Sequence, residues 1–266
     1  MNRRTFIPVL VFAALFGAVD AAAQESQDLI AIELGARYFI GELDGRLRKS
    51  PGVSHVSIDE DLDAAGDATG AGVSLTGLLK GGHTFNIQGW QYSSDGNTTQ
   101  SESQAFGDLA LLAGTSVNTD VDVRYVSAKF VYGLTDERQP MRIGLGIAGK
   151  VIDWKTEVST DTGERDTLKM RMIYPAAELE LSYKLSEAIA LRAEGSLGMP
   201  AFAKKSMEIQ NPIEVRGGAR IHLGALTVEV GYQVYDALLV EHENQPEENS
   251  ANVNLTGLYF ELAARF

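Results

Sequence analysis

From residue 28 onward, apolar and polar side chains alternate with a period of two rather than 3.6. That period marks strands with one apolar and one polar face. The last stretch shows it best. Leu258, Phe260, Leu262, Ala264 and Phe266 fall on one face, and Gly257, Tyr259, Glu261, Ala263 and Arg265 on the other. Ile30, Ile32, Leu34, Ala36, Tyr38 and Ile40 likewise oppose Glu33, Gly35 and Arg37. Met141, Ile143, Leu145 and Ile147 oppose Arg142, Gly144 and Gly146. Ile213, Val215 and Ile221 oppose Glu214, Arg216, Arg220 and His222, and Leu226, Val228, Val230 and Tyr232 oppose Glu229 and Gln233.

The pattern predicts ten strands, at about 28–46, 71–80, 83–94, 118–133, 140–156, 168–183, 188–202, 211–223, 226–240 and 251–266. Their connections alternate in length. Long ones fall at 47–70, 95–117, 157–167, 203–210 and 241–250, and short ones at 81–82, 134–139, 184–187 and 224–225. Long loops at one end and tight turns at the other are the pattern of a transmembrane up-and-down β-barrel of the outer membrane. An even strand count then puts both mature termini at the periplasmic, short-turn end. Most segments reach the ~9–11 residues that a tilted span needs.

Two details are predicted from this frame. In the sixth strand Met170, Met172 and Tyr174 share one parity, whereas Ala177, Leu179, Leu181 and Tyr183 share the other. Proline cannot donate a ladder hydrogen bond, so a bulge is expected at Pro175-Ala176, with both apolar sets facing lipid. Aromatic girdles are expected at the two interfaces. Tyr132, Tyr183 and Phe266 are the periplasmic candidates, and Tyr92, Trp154 and Tyr235 the outer ones.

The beginning of the chain breaks the alternation. Met1-Asn2-Arg3-Arg4 precedes an apolar run from Phe6 to Val19, followed by Asp20-Ala21-Ala22-Ala23. A basic start, a short apolar stretch and a small-residue end are the parts of a cleavable signal peptide. The run falls short of the ~20 residues of a spanning helix. The expected organisation is a signal peptide at 1–23 and one barrel domain at 24–266, exported to the outer membrane of a Gram-negative cell.

Composition agrees with export. The chain has no cysteine, 27 glycines and 7 prolines, so something other than disulfides must hold it together, and a closed hydrogen-bonded barrel is one such solution. The formal charge of the whole chain is −13. That argues against nucleic acid as a partner, since phosphate binding needs clustered Lys and Arg.

Candidate chemistry lies first in the lumen. Parity turns Glu33, Arg37, Lys150, Glu178, Glu180, Arg192, Glu194, Arg216, Arg220, Glu229 and Glu261 inward, with Lys129, Arg142 and Arg265 of the same sense. A ten-stranded barrel is only slightly wider than one filled by its own side chains. These charges are therefore expected to form a salt-bridged network that fills a mostly polar lumen. A narrow selective channel is the alternative arrangement of the same groups.

Elsewhere the signals are thin. Asp59, Asp61 and Asp63 have the opening spacing of a calcium loop, but Ala64 and Gly70 stand where that loop needs Gly and Glu. The segment reads as a solvated acidic loop, with Asp67 in the same run. His55, His83, His222 and His242 are the four histidines. None has a Ser-His or Asp-His arrangement by sequence, and His242 between Glu241 and Glu243 reads as a solvated loop residue. No cofactor, metal or catalytic constellation is predicted. The run Ala105 to Ala113 is too apolar for a free loop; a short helix folded over the barrel mouth is expected there, with contact to lipid or a partner as the alternative.

The terminal strand ending in Phe266, apolar at alternate positions back to Leu258, resembles the recognition signal of proteins folded by the bacterial barrel-assembly machinery. The runs Leu34-Gly35-Ala36-Arg37-Tyr38-Phe39 and Ser57-Ile58-Asp59-Glu60-Asp61-Leu62 resemble a family of small proteobacterial outer-membrane β-barrels. The resemblance implies an all-β barrel in contact with outer-membrane lipid and lipopolysaccharide, inserted by that machinery. It implies no functional residues. Ten strands is also the number in the omptin proteases, but the acidic pairs and Asp-His pair of that family have no counterpart here. Three functional classes follow: a structural or interaction barrel with a filled lumen, a small-solute channel, and an outer-membrane enzyme acting on lipid A or peptides.

Overall fold

The computed structural model describes residues 29–51, 55–64, 68–135, 139–199, 207–241 and 248–266. The expected signal peptide and His242 lie outside these residues. Thirteen strands form among the described residues: β1 (Leu29–Arg48), β2 (Val56–Ser57), β3 (Ala68–Leu79), β4 (Thr84–Thr99), β5 (Gln104–Phe106), β6 (Leu109–Leu111), β7 (Ser116–Gly133), β8 (Met141–Thr160), β9 (Arg165–Lys184), β10 (Ile189–Gly198), β11 (Met207–Leu223), β12 (Leu226–Glu241) and β13 (Asn249–Arg265). Ten of them, β1, β3, β4 and β7 to β13, pair antiparallel with their neighbours in chain order. β13 returns to pair with β1 from Glu33↔Arg265 to Arg48↔Ser250, so the sheet has no free edge. Ile32 and Phe266 exchange both backbone hydrogen bonds, at 3.1 and 2.9 Å, and complete the seam at its last residue. The chain is a closed, antiparallel, up-and-down ten-stranded β-barrel.

Tight turns collect at one end. Gly81, Gly82 and Gly224 take positive φ there, of 75°, 76° and 67°, a conformation that glycine adopts without steric cost. We call this the turn end and the opposite one the loop end. The loop end differs from expectation. β8 and β9 run on to Thr160 and Arg165, so the long loop expected at 157–167 is a four-residue turn with Gly163 at φ 86°. β10 ends at Gly198, short of the expected 202. The helix expected within 105–113 is instead the β5–β6 hairpin, paired Gln104↔Leu111 and Phe106↔Leu109.

The bulge is also in another place. β9 pairs with β8 without a break through Ala148↔Ala176, Gly149↔Pro175 and Lys150↔Tyr174. Pro175 turns its carbonyl toward Met199, whose N–H donates to it at 2.9 Å, at the point where β10 ends. The ring therefore costs one bond at a strand end and needs no bulge. Met170, Met172 and Tyr174 are buried inside the barrel, not in lipid. The bulge lies in β11, where the pairing with β12 shifts between Gln210 and Ile213 and one extra residue is absorbed at Asn211-Pro212.

The outer wall divides into two zones. Along β8 the outward residues Met141, Ile143, Leu145, Ile147 and Val151 are apolar, and beyond them Asp153, Lys155, Glu157 and Ser159 are polar. Along β7 the outward Tyr132, Phe130 and Val126 give way to Arg124, Asp122, Asp120 and Asn118. Ile173, Leu197, Leu223, Leu262 and Phe266 continue the apolar zone around the turn-end half of the barrel. On β8 this zone runs from Met141 to Val151, the ~9–11 residues of a tilted span. Tyr132, Tyr183 and Phe266 are exposed on it.

Candidate functional site: the filled lumen

The inner wall divides at the same level, in the opposite sense. Its turn-end half is charged, and its loop-end half is aromatic and aliphatic. At the turn end a vestibule of about 250 Å³ opens, lined by Glu33, Arg142, Glu180, Arg192, Arg220 and His222 among others. Arg142 donates to the carbonyl of Gly82, and His222 shares a 3.1 Å hydrogen bond with Thr227.

Beneath the vestibule the inward charges interlock. Lys129 Nζ lies 2.6 Å from Glu180 and 2.9 Å from Glu194. Arg216 reaches Glu194 at 2.5 Å, and Arg192 pairs with Glu194, Glu180 and Glu229. Arg220 holds Glu229 at 2.9 Å and Glu33 at 3.4 Å. Arg37 Nε donates to Glu261 at 2.9 Å, and Ser74 Oγ reaches the other carboxylate oxygen at 3.2 Å. Lys150 Nζ bridges Glu178 and Glu214, both at 3.0 Å. All eleven residues read as a lumen network therefore stand in ion pairs on the inner wall, with Lys129 beside them. Glu214 is the member that the charge list left out, although its parity in β11 matches Arg216. With it, seven carboxylates meet six cations. These strands point their side chains inward at fixed register, so neighbouring pairs such as Glu194↔Glu180 and Glu229↔Glu261 put like charges side by side. Lys129 and Arg192 each pair with both Glu180 and Glu194, while Arg220 takes Glu229 and Arg37 takes Glu261. A residual gap of about 10 Å³ among Lys129, Lys150, Glu178, Glu194, Glu214 and Arg216 has room for about one water.

An aromatic layer follows. Tyr125 donates to Glu214 at 2.9 Å, and Tyr259 donates to Glu229 at 2.6 Å, so phenols finish the ionic layer. The Tyr125 ring stacks on Trp90 at 4.4 Å and 10°. Trp90 meets Tyr92 at 4.2 Å, and Tyr92 meets Phe39 at 4.5 Å, both edge to face, the offset geometries that aromatic pairs prefer. Tyr92, Trp154 and Tyr235, expected in an outer girdle, are 3, 1 and 1% exposed and lie inside the barrel. Their parity is that of inward charges: Tyr92 follows Gln88 and Trp90 in β4, and Trp154 follows Lys150 and Ile152 in β8.

Above the aromatics the lumen is closed by aliphatic side chains. Leu43, Leu47, Val121, Ile152, Val158, Leu168, Leu239 and Val253 come from the wall. Val56, Ile58 and Leu62 come from the first loop, where β2 pairs with the end of β1 through Leu47↔Val56. Phe106, Leu109 and Leu111 come from the β5–β6 hairpin. Gly107 N–H donates to Lys49 O at 3.2 Å, and Gln100 donates to Asp61 O at 2.6 Å, tying both inserts down. The expected polar lumen is thus corrected to a two-part filling, ionic at the turn end and apolar at the loop end. In the first loop, Asp61 accepts from Ser57 N at 2.7 Å, whereas Asp59, Glu60 and Asp63 are exposed.

A ring of exposed apolar side chains this large has no counterpart on a water-soluble surface. A closed barrel satisfies every in-sheet backbone group, as hydrocarbon requires. The chain is an integral outer-membrane β-barrel protein.

No family model and no curated protein matches the sequence. The chain is similar to the translocator domain of the autotransporter NalP from Neisseria meningitidis, at 10% identity over 97% of each chain and a TM-score of 0.43. It is similar to Neisserial surface protein A at 11% identity, over 89% of this chain and 99% of that one, with a TM-score of 0.36. It is also similar to Ail, the attachment invasion locus protein of Yersinia pestis, at 9% identity, over 89% and 98% of the two chains, with a TM-score of 0.35.

Proposed function

We propose that this barrel is a sealed outer-membrane protein with a structural or interaction role rather than a channel. The observation that carries this reading is the stack of three fillings in series: ion pairs, aromatics and an aliphatic plug. A water path would have to cross all of them, and an apolar constriction dewets. We place the turn end and both mature termini in the periplasm, because long connections face outward in such barrels. The loop-end collar and its hairpin are then the surface presented to the outside. Lipopolysaccharide and outer-membrane lipid are the surrounding partners, and the strand ending in Phe266 is the segment offered to the assembly machinery.

Two experiments test this. Proteoliposomes carrying the protein should not swell in iso-osmotic solutions of small sugars or amino acids, and swelling above empty liposomes contradicts the sealed lumen. The chain has no native cysteine, so single substitutions report orientation. Ser101→Cys should react with an impermeant maleimide on intact cells, and Ala225→Cys only after lysis. The reverse order overturns the orientation.

A further inference from the structure

The wall of β7, β8 and β9 carries a basic groove at the upper margin of the apolar belt. The ladder register fixes its layout. Val126, Val151 and Ile173 form one outward row across the three strands, the last apolar row of this sector. Two residues further toward the loop end, Arg124, Asp153 and Arg171 form the next outward row, and Asp122, Lys155 and Lys169 the one after. These six residues line an open groove of about 360 Å³. Four of them are cations and two are carboxylates, in a chain whose formal charge is −13.

Ion pairs take up two of the four cations and leave two. Asp153 lies 3.2 Å from Arg171, and Lys155 pairs with Glu157 at 2.8 Å. Arg124 and Lys169 have no carboxylate within ion-pair distance among the described residues, and both side chains are exposed. Arg124 and Arg171 are two strand spacings apart, ~10 Å. They flank the groove one residue pair above the belt, at the level of lipid headgroups. Guanidinium groups suit phosphate because they offer a planar fork of donors, and ammonium groups add point charge.

We propose that Arg124, Lys155, Lys169 and Arg171 form a binding site for the phosphorylated headgroup of an outer-leaflet glycolipid. Its acyl chains lie along Val126, Val151 and Ile173, and its phosphates enter the groove. This rests on the orientation given above, which puts the loop end in the outer leaflet. It makes lipid a specific ligand of one sector of the wall rather than a uniform solvent.

The test uses the full mature chain in nanodiscs of zwitterionic phospholipid, with lipid retention followed by native mass spectrometry. The probes are a bisphosphorylated glucosamine-disaccharide lipid, its dephosphorylated counterpart and inorganic phosphate. The wild-type chain should retain the bisphosphorylated lipid in preference to the dephosphorylated one. The double variant Arg124→Gln, Lys169→Gln should weaken that retention by about tenfold or more. Neither residue holds an ion pair, so the variant should fold normally, which circular dichroism checks. Lys184→Gln at the turn end should leave retention unchanged. Equal retention by the wild-type chain and the double variant, or equal retention of the two lipids, overturns the site. Displacement of the lipid by millimolar inorganic phosphate overturns the commitment to a lipid ligand. Failure of the orientation reading shows separately, as reversed maleimide labelling.

Discussion

Lys150 stands where the two halves of the lumen meet. Its ammonium bridges Glu178 and Glu214, touches Ser196 and lies 5.8 Å from the centre of the Tyr125 ring. Removing one partner of a buried ion pair leaves the other charge without compensation, at a cost of about 3–5 kcal/mol. Lys150→Met leaves Glu178 without a cation and Glu214 with the Tyr125 hydroxyl, so the unfolding free energy from urea titration in lipid vesicles should fall by that amount. An unfolding free energy within about 0.5 kcal/mol of wild type, the range of a surface substitution, would mean that the network is not what stabilises this half. The seam has a residue-scale requirement of its own. Gly41 and Gly257 face each other across β1 and β13, and Phe39 lays its ring over both. A Cβ on Gly257 would come within 2.4 Å of the Gly41 Cα. Gly257→Val should therefore cost about 1–3 kcal/mol or more and lower the yield of the compact, heat-modifiable band on cold electrophoresis. An unchanged yield would show that the seam can spread.

At the scale of elements, the β5–β6 hairpin is the piece that closes the mouth without belonging to the wall. Phe106 and Leu111 are fully buried and Leu109 nearly so, and truncating a buried Phe to Ala costs about 3–5 kcal/mol. The barrel ladder does not depend on that contact, so the loss is expected to be local. Phe106→Ala should make segment 100–115 cleavable by protease while the barrel stays resistant; simultaneous loss of both would show that hairpin and wall fold as one unit. Much of the wall was legible in the sequence because alternation and turn spacing are local signals. The ten strands, the turn-end connections and the inward sense of Glu33, Arg37, Glu194 and Arg216 follow from parity alone. What parity cannot supply is the change of solvent along a strand. Met170, Met172 and Tyr174 look lipid-facing because they are apolar, yet they keep the parity of Glu178 and Glu180 and fill the lumen above them. The bulge expected at Pro175 takes that change of chemistry for a change of face. Trp154 and Tyr235 were misplaced for the same reason. Following one parity from end to end, polar to apolar inside while apolar to polar outside, would have revealed the division. Pro212 is the proline that does sit at a bulge, and nothing in the sequence around it distinguishes it from Pro175.

For the whole molecule, the inverted pattern of the two walls explains how one barrel serves two solvents. In the turn-end half the outside meets lipid and the inside is ionic. In the loop-end half the outside is polar and the inside is an apolar core of the kind found in a water-soluble protein. The strands thus extend past the membrane as a stable collar, with the two inserted loops as its lid. The proposed seal leaves no continuous water path through this barrel. Single-channel recording in planar bilayers tests it most directly. The filled lumen predicts a flat current record from the purified, folded protein at any applied voltage the bilayer survives. Reproducible unitary steps, present with the wild-type chain and absent from protein-free bilayers, would contradict it.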